Sequence, residues 1–343
     1  MSERRNMVLI DPAVPERLAA PGARLVQASG ETMGTCWRLR CWAEPGHPDP
    51  AGVVAGACDE AIALFSPWDA GSAISGFNHA GRGWYLLPPA LWRLLQDSLQ
   101  VARLSGGALD PALGRLADLW GFGPSGPVRR PPSRAALEAA RACSGLKHLR
   151  LGQGGRAWQP GGLWLDFGGI AKGWAVDLVS RRLTEAGLGV HMIEIGGEIA
   201  ARGLSPQGRP WWIELEAPPG SDLPRALVAL HRGAIAGSGS WRRRARPAGQ
   251  GWSHAIDPAT GRPVEGAVLS VHVLHPRADL ADAWASALMV LPPEDGLARA
   301  KAAGLAAILT LQEAAGRITR RSTGLSDWLD TAEDAPRPEV AEA

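Results

Sequence analysis

Cysteine, tyrosine and net charge are all scarce in this chain of 343 residues. There are four cysteines, one tyrosine and a formal charge of +2. Cys36, Cys41, Cys58 and Cys143 make no C-x-x-C pair and no zinc-type spacing, so neither a structural zinc site nor a disulfide framework is expected in a domain this large. The near-balance of charge gives no reason to expect a nucleic-acid or anionic-membrane partner. No window approaches the length of a transmembrane helix. The N-terminus is charged but lacks the apolar run of a secretory signal, because Pro12, Pro15 and Glu16 interrupt it. As written, the chain is expected in the cytoplasm, and in the periplasm if its start site is misassigned. Several motifs are missing too: no G-x-G-x-x-G follows the first strand, there is no Walker lysine motif and no H-E-x-x-H, and Gly237-Ser-Gly is not a nucleophile elbow.

What remains is an ordinary globular composition, 45% hydrophobic and 20% charged, with fifteen tryptophans that read mostly as packing residues. Residues 1–24 read as a loosely packed leader, 25–325 as one large domain and 326–343 as an acidic, disordered tail. The pattern predicts a strand over Ser29–Trp42, helices over 51–65 and 89–104, and a helix from Ser133 to about Cys143. Strands are expected at Leu163–Phe167, Val190–Ile195, Trp211–Glu216, Leu227–Leu230 and Leu269–Leu274. Helices are expected at 170–186, 279–290 and 294–303, and a hairpin at 305–320. Strands come in runs rather than alternating with helices, so the fold class is α+β: mixed or antiparallel sheets flanked by helices, with room for two subdomains around a cleft.

Three constellations carry chemistry. Glycine-containing turns recur at Ser105–Pro111, Gly168-Gly-Ile-Ala-Lys172, Gly196-Gly-Glu198 and Ala236-Gly-Ser-Gly-Ser240. Glycine pairs at a helix start let an anion approach backbone N–H groups, and Lys172 adds positive charge. Each also reads as a plain tight turn. Asp282 and Ser286 are four apart on a helix, a carboxylate and a hydroxyl within reach of one hard cation. They read equally as a dipole-favoured aspartate and a packed serine. His254 precedes the Asp257-Pro turn and fits either a general base or a structural histidine. His272 and His275 point to opposite faces of a strand, and Arg242-Arg-Arg-Ala-Arg246 reads as a solvated loop or a guide for an acidic partner.

Taken in order, these segments resemble the ApbE family, the FAD:protein FMN transferases, from about Glu31 to Leu311. The resemblance is carried by Thr32-Met-Gly-Thr35, Phe65-Ser-Pro-Trp68, Ile74-Ser75 with Asn78, and Ser105-Gly-Gly-Ala-Leu-Asp-Pro111. It continues through Leu119-Trp-Gly-Phe-Gly123, Leu165–Asp177, Ile195-Gly-Gly-Glu198, Ser238-Gly239, His254-Ala-Ile-Asp-Pro258 and Ala281-Asp-Ala283. No single piece is specific, but their collinear order is.

The resemblance implies FAD as substrate with Mg²⁺ on its pyrophosphate, and transfer of the FMN moiety to a Ser or Thr hydroxyl of a target protein carrying a D-G-x-[ST]-G/S-A-like motif, with AMP leaving. It implies Ala171 (through its carbonyl), Asp282 and Ser286 as metal ligands, and His254 as the group that takes the acceptor's proton. Lys172, Gly168 and Gly169 would lie near phosphate, and Trp68 would stack on the isoalloxazine. Met33, Asp110, Asp177, Gly197, Glu198, Ser238 and Gly239 would be ribose, adenine or pocket contacts. The chain departs from the family pattern at Ser286 (usually Thr), Trp68 and Trp174 (often Tyr), Ala73 after Ser72, and Ser240-Trp241 after Gly239. An FAD pyrophosphatase and a non-catalytic flavin-binding protein remain as alternatives.

Overall fold

The computed structural model describes residues 6–241, 244–245, 251–313, 316 and 318–328. Of the tail expected at 326–343, all but residues 326–328 lies outside them, as does most of the Arg242–Arg246 run. Along the chain, β1 (Met7–Ile10) is followed by β2 (Arg24–Thr32) and β3 (Thr35–Ala43). Then come α1 (Pro50–Phe65), α2 (Ala73–Asn78), β4 (Gly83–Leu86), α3 (Pro89–Leu104), α4 (Gly114–Leu119) and α5 (Arg134–Ala142). The middle of the chain supplies β5 (Arg150–Leu151), β6 (Arg156–Gln159), α6 (Ala171–Glu185), β7 (His191–Ile195) and β8 (Glu198–Arg202). Next are β9 (Trp211–Glu214), β10 (Ala226–Leu230) and β11 (Arg232–Gly239). Four two-residue strands follow: β12 (Arg244–Ala245), β13 (Trp252–Ser253), β14 (Ile256–Asp257) and β15 (Arg262–Pro263). The last elements are β16 (Val268–His275), α7 (Ala278–Val290), α8 (Pro293–Ala302), β17 (Ala306–Gln312) and β18 (Ile318–Thr323).

An eight-stranded sheet, ordered β18-β17-β16-β11-β8-β7-β3-β2 and antiparallel at every join, organises the molecule. Side chains alternate across it, as the two-residue period of a strand requires. Ala234 and Ala236 of β11 face one core while Ile235 faces another. The larger core lies under the helices: α6 packs on β7 and β8, α7 on β11 and β16, with α1 against α6 and α3 against α7. The smaller core on the opposite face is closed by the sheet β1-β10-β9. The arrangement is α+β and a single domain, as expected. Among the described residues no helix is long and apolar enough to cross a membrane.

Local chemistry explains most helix ends. Asp49 caps α1 by accepting from the Ala51 and Gly52 amides, with Pro50 at its first position. Ser133 Oγ accepts from the Ala136 amide to start α5. Gly187, at φ 88°, stops α6.

Four expectations are corrected. The strand predicted over Ser29–Trp42 is a hairpin, turning at Met33-Gly34, where both residues have positive φ (48° and 70°). Met33 supplies no sequence signal for that conformation. Leu163–Phe167 is buried but belongs to no sheet. The Asn78 side chain bonds both the N–H and the C=O of Leu165 (2.7 and 2.8 Å), and Gln159 does the same for Leu163 (3.1 and 2.9 Å). Side-chain amides thus replace a neighbouring strand. Ala236–Ser240, expected as a turn, is strand as far as Gly239, within β11; Gly237 is small because the His272 ring sits opposite, 3.1 Å from where a Cβ would stand. Within the supposed loose leader, β1 pairs in parallel with β10 and Leu9 is wholly buried.

Candidate functional site

Six separate pieces of chain converge on one cavity of about 250 Å³. The β2–β3 turn brings Met33, Gly34 and Thr35, and the start of α6 brings Gly168 and Lys172. The β7–β8 turn adds Gly196 and Glu198, β11 adds Gly237, Ser238 and Gly239, and α7 adds Asp282 and Ser286. His254, between β13 and β14, closes the lining. A larger, open depression of about 610 Å³ lies elsewhere, lined by Met7, residues 220–224, Gly316 and 318–320. It gathers none of the sequence constellations, so the smaller cavity is the candidate site.

The charged centre is a trio of two buried carboxylates and the partly exposed Lys172. Lys172 Nζ lies 2.5 Å from Glu198 Oε2 and 4.0 Å from Asp282 Oδ1. The two-glycine turn Gly196-Gly197, both at positive φ, is what lets β7 and β8 reverse tightly enough to present Glu198 here. Burial pushes the Glu198 carboxyl up to about 7 despite the attraction of Lys172. Burial likewise raises Asp282. Its Oδ2 accepts the Gly173 amide at 3.1 Å. Because Lys172 sits closer to Glu198, the other Asp282 oxygen has a cation only at the edge of ion-pair range.

Asp282 and Ser286 both line the cavity, so their four-residue spacing does put them on one face of α7. Ser286 Oγ lies 2.7 Å from where a Cβ of Gly169 would stand, so glycine there admits the hydroxyl to the helix start. Ala171 is the first residue of α6. One carboxylate, one hydroxyl and a backbone carbonyl are hard oxygen donors that suit Mg²⁺. They are too few to satisfy it alone, which matches a metal that also takes oxygens from a phosphate and water. Among the described residues no cluster of three or more His, Cys, Asp or Glu side chains forms a self-sufficient metal site.

His254 is half-buried and propped by aromatic packing. The Phe122 ring stands edge-on at 6.2 Å. Trp252, two residues before it, donates to the Trp120 carbonyl at 3.1 Å, and Trp120 donates to the Gly261 carbonyl at 2.9 Å. These bonds tie the histidine loop to α4 through the small core of Leu116, Leu137 and Ile256.

Of the residues singled out in the sequence, Met33, Gly168, Lys172, Glu198, Ser238, Gly239, His254, Asp282 and Ser286 line the cavity. Trp68, Asp110, Gly169, Ala171, Asp177 and Gly197 do not. Trp68 is more than half exposed. Both Asp110 oxygens accept backbone amides, from Ala112 (2.8 Å) and Leu146 (3.0 Å). Asp177, expected as a pocket contact, instead accepts the Ala278 and Asp279 amides (3.0 and 3.1 Å), because its place on α6 turns it towards the start of α7. Gly34, Thr35, Gly196 and Gly237 line the cavity without having been chosen. Each lies within two residues of a chosen one, in the same turn or strand.

Comparison with known proteins gives a consistent result. The family model described as the ApbE family matches residues 33–309. The FAD:protein FMN transferase of Klebsiella pneumoniae is 32% identical over 320 residues, covering 91% of each chain. That of Vibrio cholerae is 35% identical over 286 residues, 82% of this chain and 85% of the relative. Among solved structures, the flavin transferase ApbE from Vibrio cholerae superposes with a TM-score of 0.81 at 32% identity, covering 90% of this chain and all of that one. The apo flavinyl transferase ApbE of Pseudomonas stutzeri gives 0.81 at 34% identity, covering 89% and 96%.

Proposed function

The chain belongs to the ApbE family, and from that membership we propose that it is a flavin transferase that passes the FMN moiety of FAD to a Ser or Thr hydroxyl of a target protein in an Mg²⁺-dependent reaction. The observation that carries this reading is the gathering, around one small cavity, of His254 with Asp282, Ser286 and the Lys172–Glu198 pair. In the reaction, the acceptor hydroxyl loses its proton to His254 as its oxygen bonds to the phosphorus of the FMN half. The bond from that phosphorus to the bridging oxygen breaks, and AMP leaves with that oxygen. The product is a phosphoester between FMN and the protein.

Each group has a task set by its surroundings. Among the described residues His254 is the only histidine lining the cavity; it is held by the Trp120–Trp252 packing and takes up the proton. Lys172 sets positive charge beside the helix start that a phosphate would approach. Glu198 holds Lys172 in place, at the cost of a buried carboxyl. Asp282, Ser286 and the Ala171 carbonyl are the residues that would hold Mg²⁺, which when bound neutralises the charge developing on the leaving phosphate. With Ser in place of the family's more usual Thr, residue 286 keeps the hydroxyl but loses the methyl that restricts its rotamer. Met33, Ser238 and Gly239, which share the lining, are assigned as contacts for FAD.

The test is incubation with FAD, Mg²⁺ and a peptide bearing a D-G-x-[ST]-G/S-A-like sequence, read by mass spectrometry. The expected result is a peptide heavier by the FMN moiety together with released AMP. An unmodified peptide, with a known family member labelling it in parallel, overturns the reading. Free FMN and AMP formed without labelling would mark the chain as a pyrophosphatase instead. Asp282→Ala is expected to abolish Mg²⁺-stimulated AMP release. His254→Ala should slow transfer by ~10²–10⁴-fold while leaving FAD binding intact.

A further inference from the structure

Helix α7 begins without a side-chain cap at its N-cap, since Arg277 there accepts none of the first-turn amides. Its first two amides still have acceptors, and both come from α6. Asp177 takes the Ala278 N–H on one oxygen at 3.0 Å and the Asp279 N–H on the other at 3.1 Å. The start of α6 is built the same way. Ile170 at its N-cap gives no side-chain bond, and the third-position amide of Gly173 is taken by Asp282 from α7, at 3.1 Å. The two helices therefore exchange carboxylates, each capping the other.

The exchange requires an unusually close crossing. A Cβ on Gly173 would stand 2.2 Å from the Ala278 carbonyl oxygen and 2.7 Å from the Asp279 Cα, so only glycine lets the two helix starts meet. The surrounding charge is arranged to spare Asp177 for the task. Arg277 is occupied by Asp279 and Asp97, each at 2.5 Å, which leaves the Asp177 oxygens to the amides. An acceptor at a helix start stabilises it, and a charged one gains from the helix dipole.

We propose that Asp177 is a positioning residue for the site: by pinning the first turn of α7 to α6 it sets where Asp282 and Ser286 stand relative to the start of α6. A carboxylate four residues into α7 moves with the first turn of that helix, and its own bond to Gly173 is the second clasp of the same joint. The consequence for metal binding rests on the reading of Ala171, Asp282 and Ser286 as ligands. The positional claim does not.

The experiment uses the full chain with Asp177→Ala and Asp177→Asn, in three measurements without FAD. Amide hydrogen exchange at Gly173 reports whether Asp282 still holds that N–H. Electron paramagnetic resonance of added Mn²⁺ reports metal affinity, and thermal melting in chelator reports stability. In the alanine variant Gly173 is expected to exchange faster and Mn²⁺ to bind about 10–100-fold more weakly, the usual range for losing a group that orients a metal ligand. Asparagine keeps one acceptor oxygen and should fall between. A folded Asp177→Ala protein with a lower melting temperature but unchanged Gly173 exchange and Mn²⁺ affinity overturns the proposal, because a merely stabilising cap predicts that outcome. If the alanine variant does not fold, the same comparison on Asp177→Asn decides. A wild-type chain that binds no Mn²⁺ removes the metal assignment, and Gly173 exchange alone then decides the positional claim.

Discussion

His191 is fully enclosed, and the bonds around it fix its protonation state. Arg202 Nε donates to Ser180 Oγ at 3.0 Å, so the serine hydrogen is free to point at His191 Nε2, 2.9 Å away. The ring hydrogen then sits on Nδ1 and is donated to the Leu188 carbonyl at 2.7 Å. Burial lowers the pKa of this neutral ring to about 4, with Arg202 and Arg17 pushing the same way. The folded value lies below the ordinary 6.5, so the unfolded chain takes up a proton first as pH falls. Stability contributed by the neutral ring is therefore complete above pH 6.5 and lost on the way down to pH 4, at about 3 kcal/mol in full. Asp177 has the opposite sign: burial raises it to about 6, so protonation between pH 6 and 3.8 favours the folded state. Subtracting His191→Gln from wild type isolates the histidine. Urea midpoints should fall more steeply in wild type between pH 6.5 and 4, and parallel curves would contradict the assignment. None of this was legible in the sequence, where a histidine at the start of a strand carries no sign of what closes over it.

The elements themselves were largely legible because helix signals are local. Asp49-Pro50, Pro88-Pro89, Ser133 and Gly187 mark their boundaries through capping and φ preferences that act within a few residues. The failures were elements whose partner is distant in sequence. Leu163–Phe167 has the composition of a strand, yet Asn78 and Gln159 saturate its backbone in place of a ladder. The short strands β12 to β15 exist only because they pair with one another around His254. The joint of α6 and α7 offers the sharpest test at this scale. Gly173→Ala inserts a methyl against a backbone carbonyl that cannot swing aside, so the helices must separate. Overpacking of this kind costs roughly 1–3 kcal/mol, and backbone contact puts this case at the upper end. Thermal melting should show the loss, and an unchanged midpoint would mean that the crossing is looser than the 2.2 Å approach requires.

At the scale of the molecule, one antiparallel sheet separates two cores with different tasks. The helical core carries α6 and α7, and with them the charged side of the cavity. The core on the other face is closed by β1, β9 and β10, with Leu9 at its centre. Leu9→Ala should therefore lower stability by about 2–5 kcal/mol in chemical denaturation, the usual range for a buried leucine. Flavin transfer per folded molecule should hold at wild-type level, since no cavity residue belongs to that core. A large loss of transfer in a still-folded variant would show that the two faces are coupled.

By itself the sequence determined the class of fold, most helices and many of the residues that line the cavity, because patterning, capping and collinear motifs are written over short spans. It also placed Asp282 and Ser286 on one helix face, which depends only on their spacing. The tertiary structure decided which glycines face the cavity, that Lys172 leans to Glu198 and not to Asp282, and that Asp177 clasps α7 and leaves the pocket to others. These are outcomes of packing between segments some 25 to 110 residues apart. A carboxylate takes whichever amide or cation the fold brings to it, and spacing along the chain carries no record of that choice.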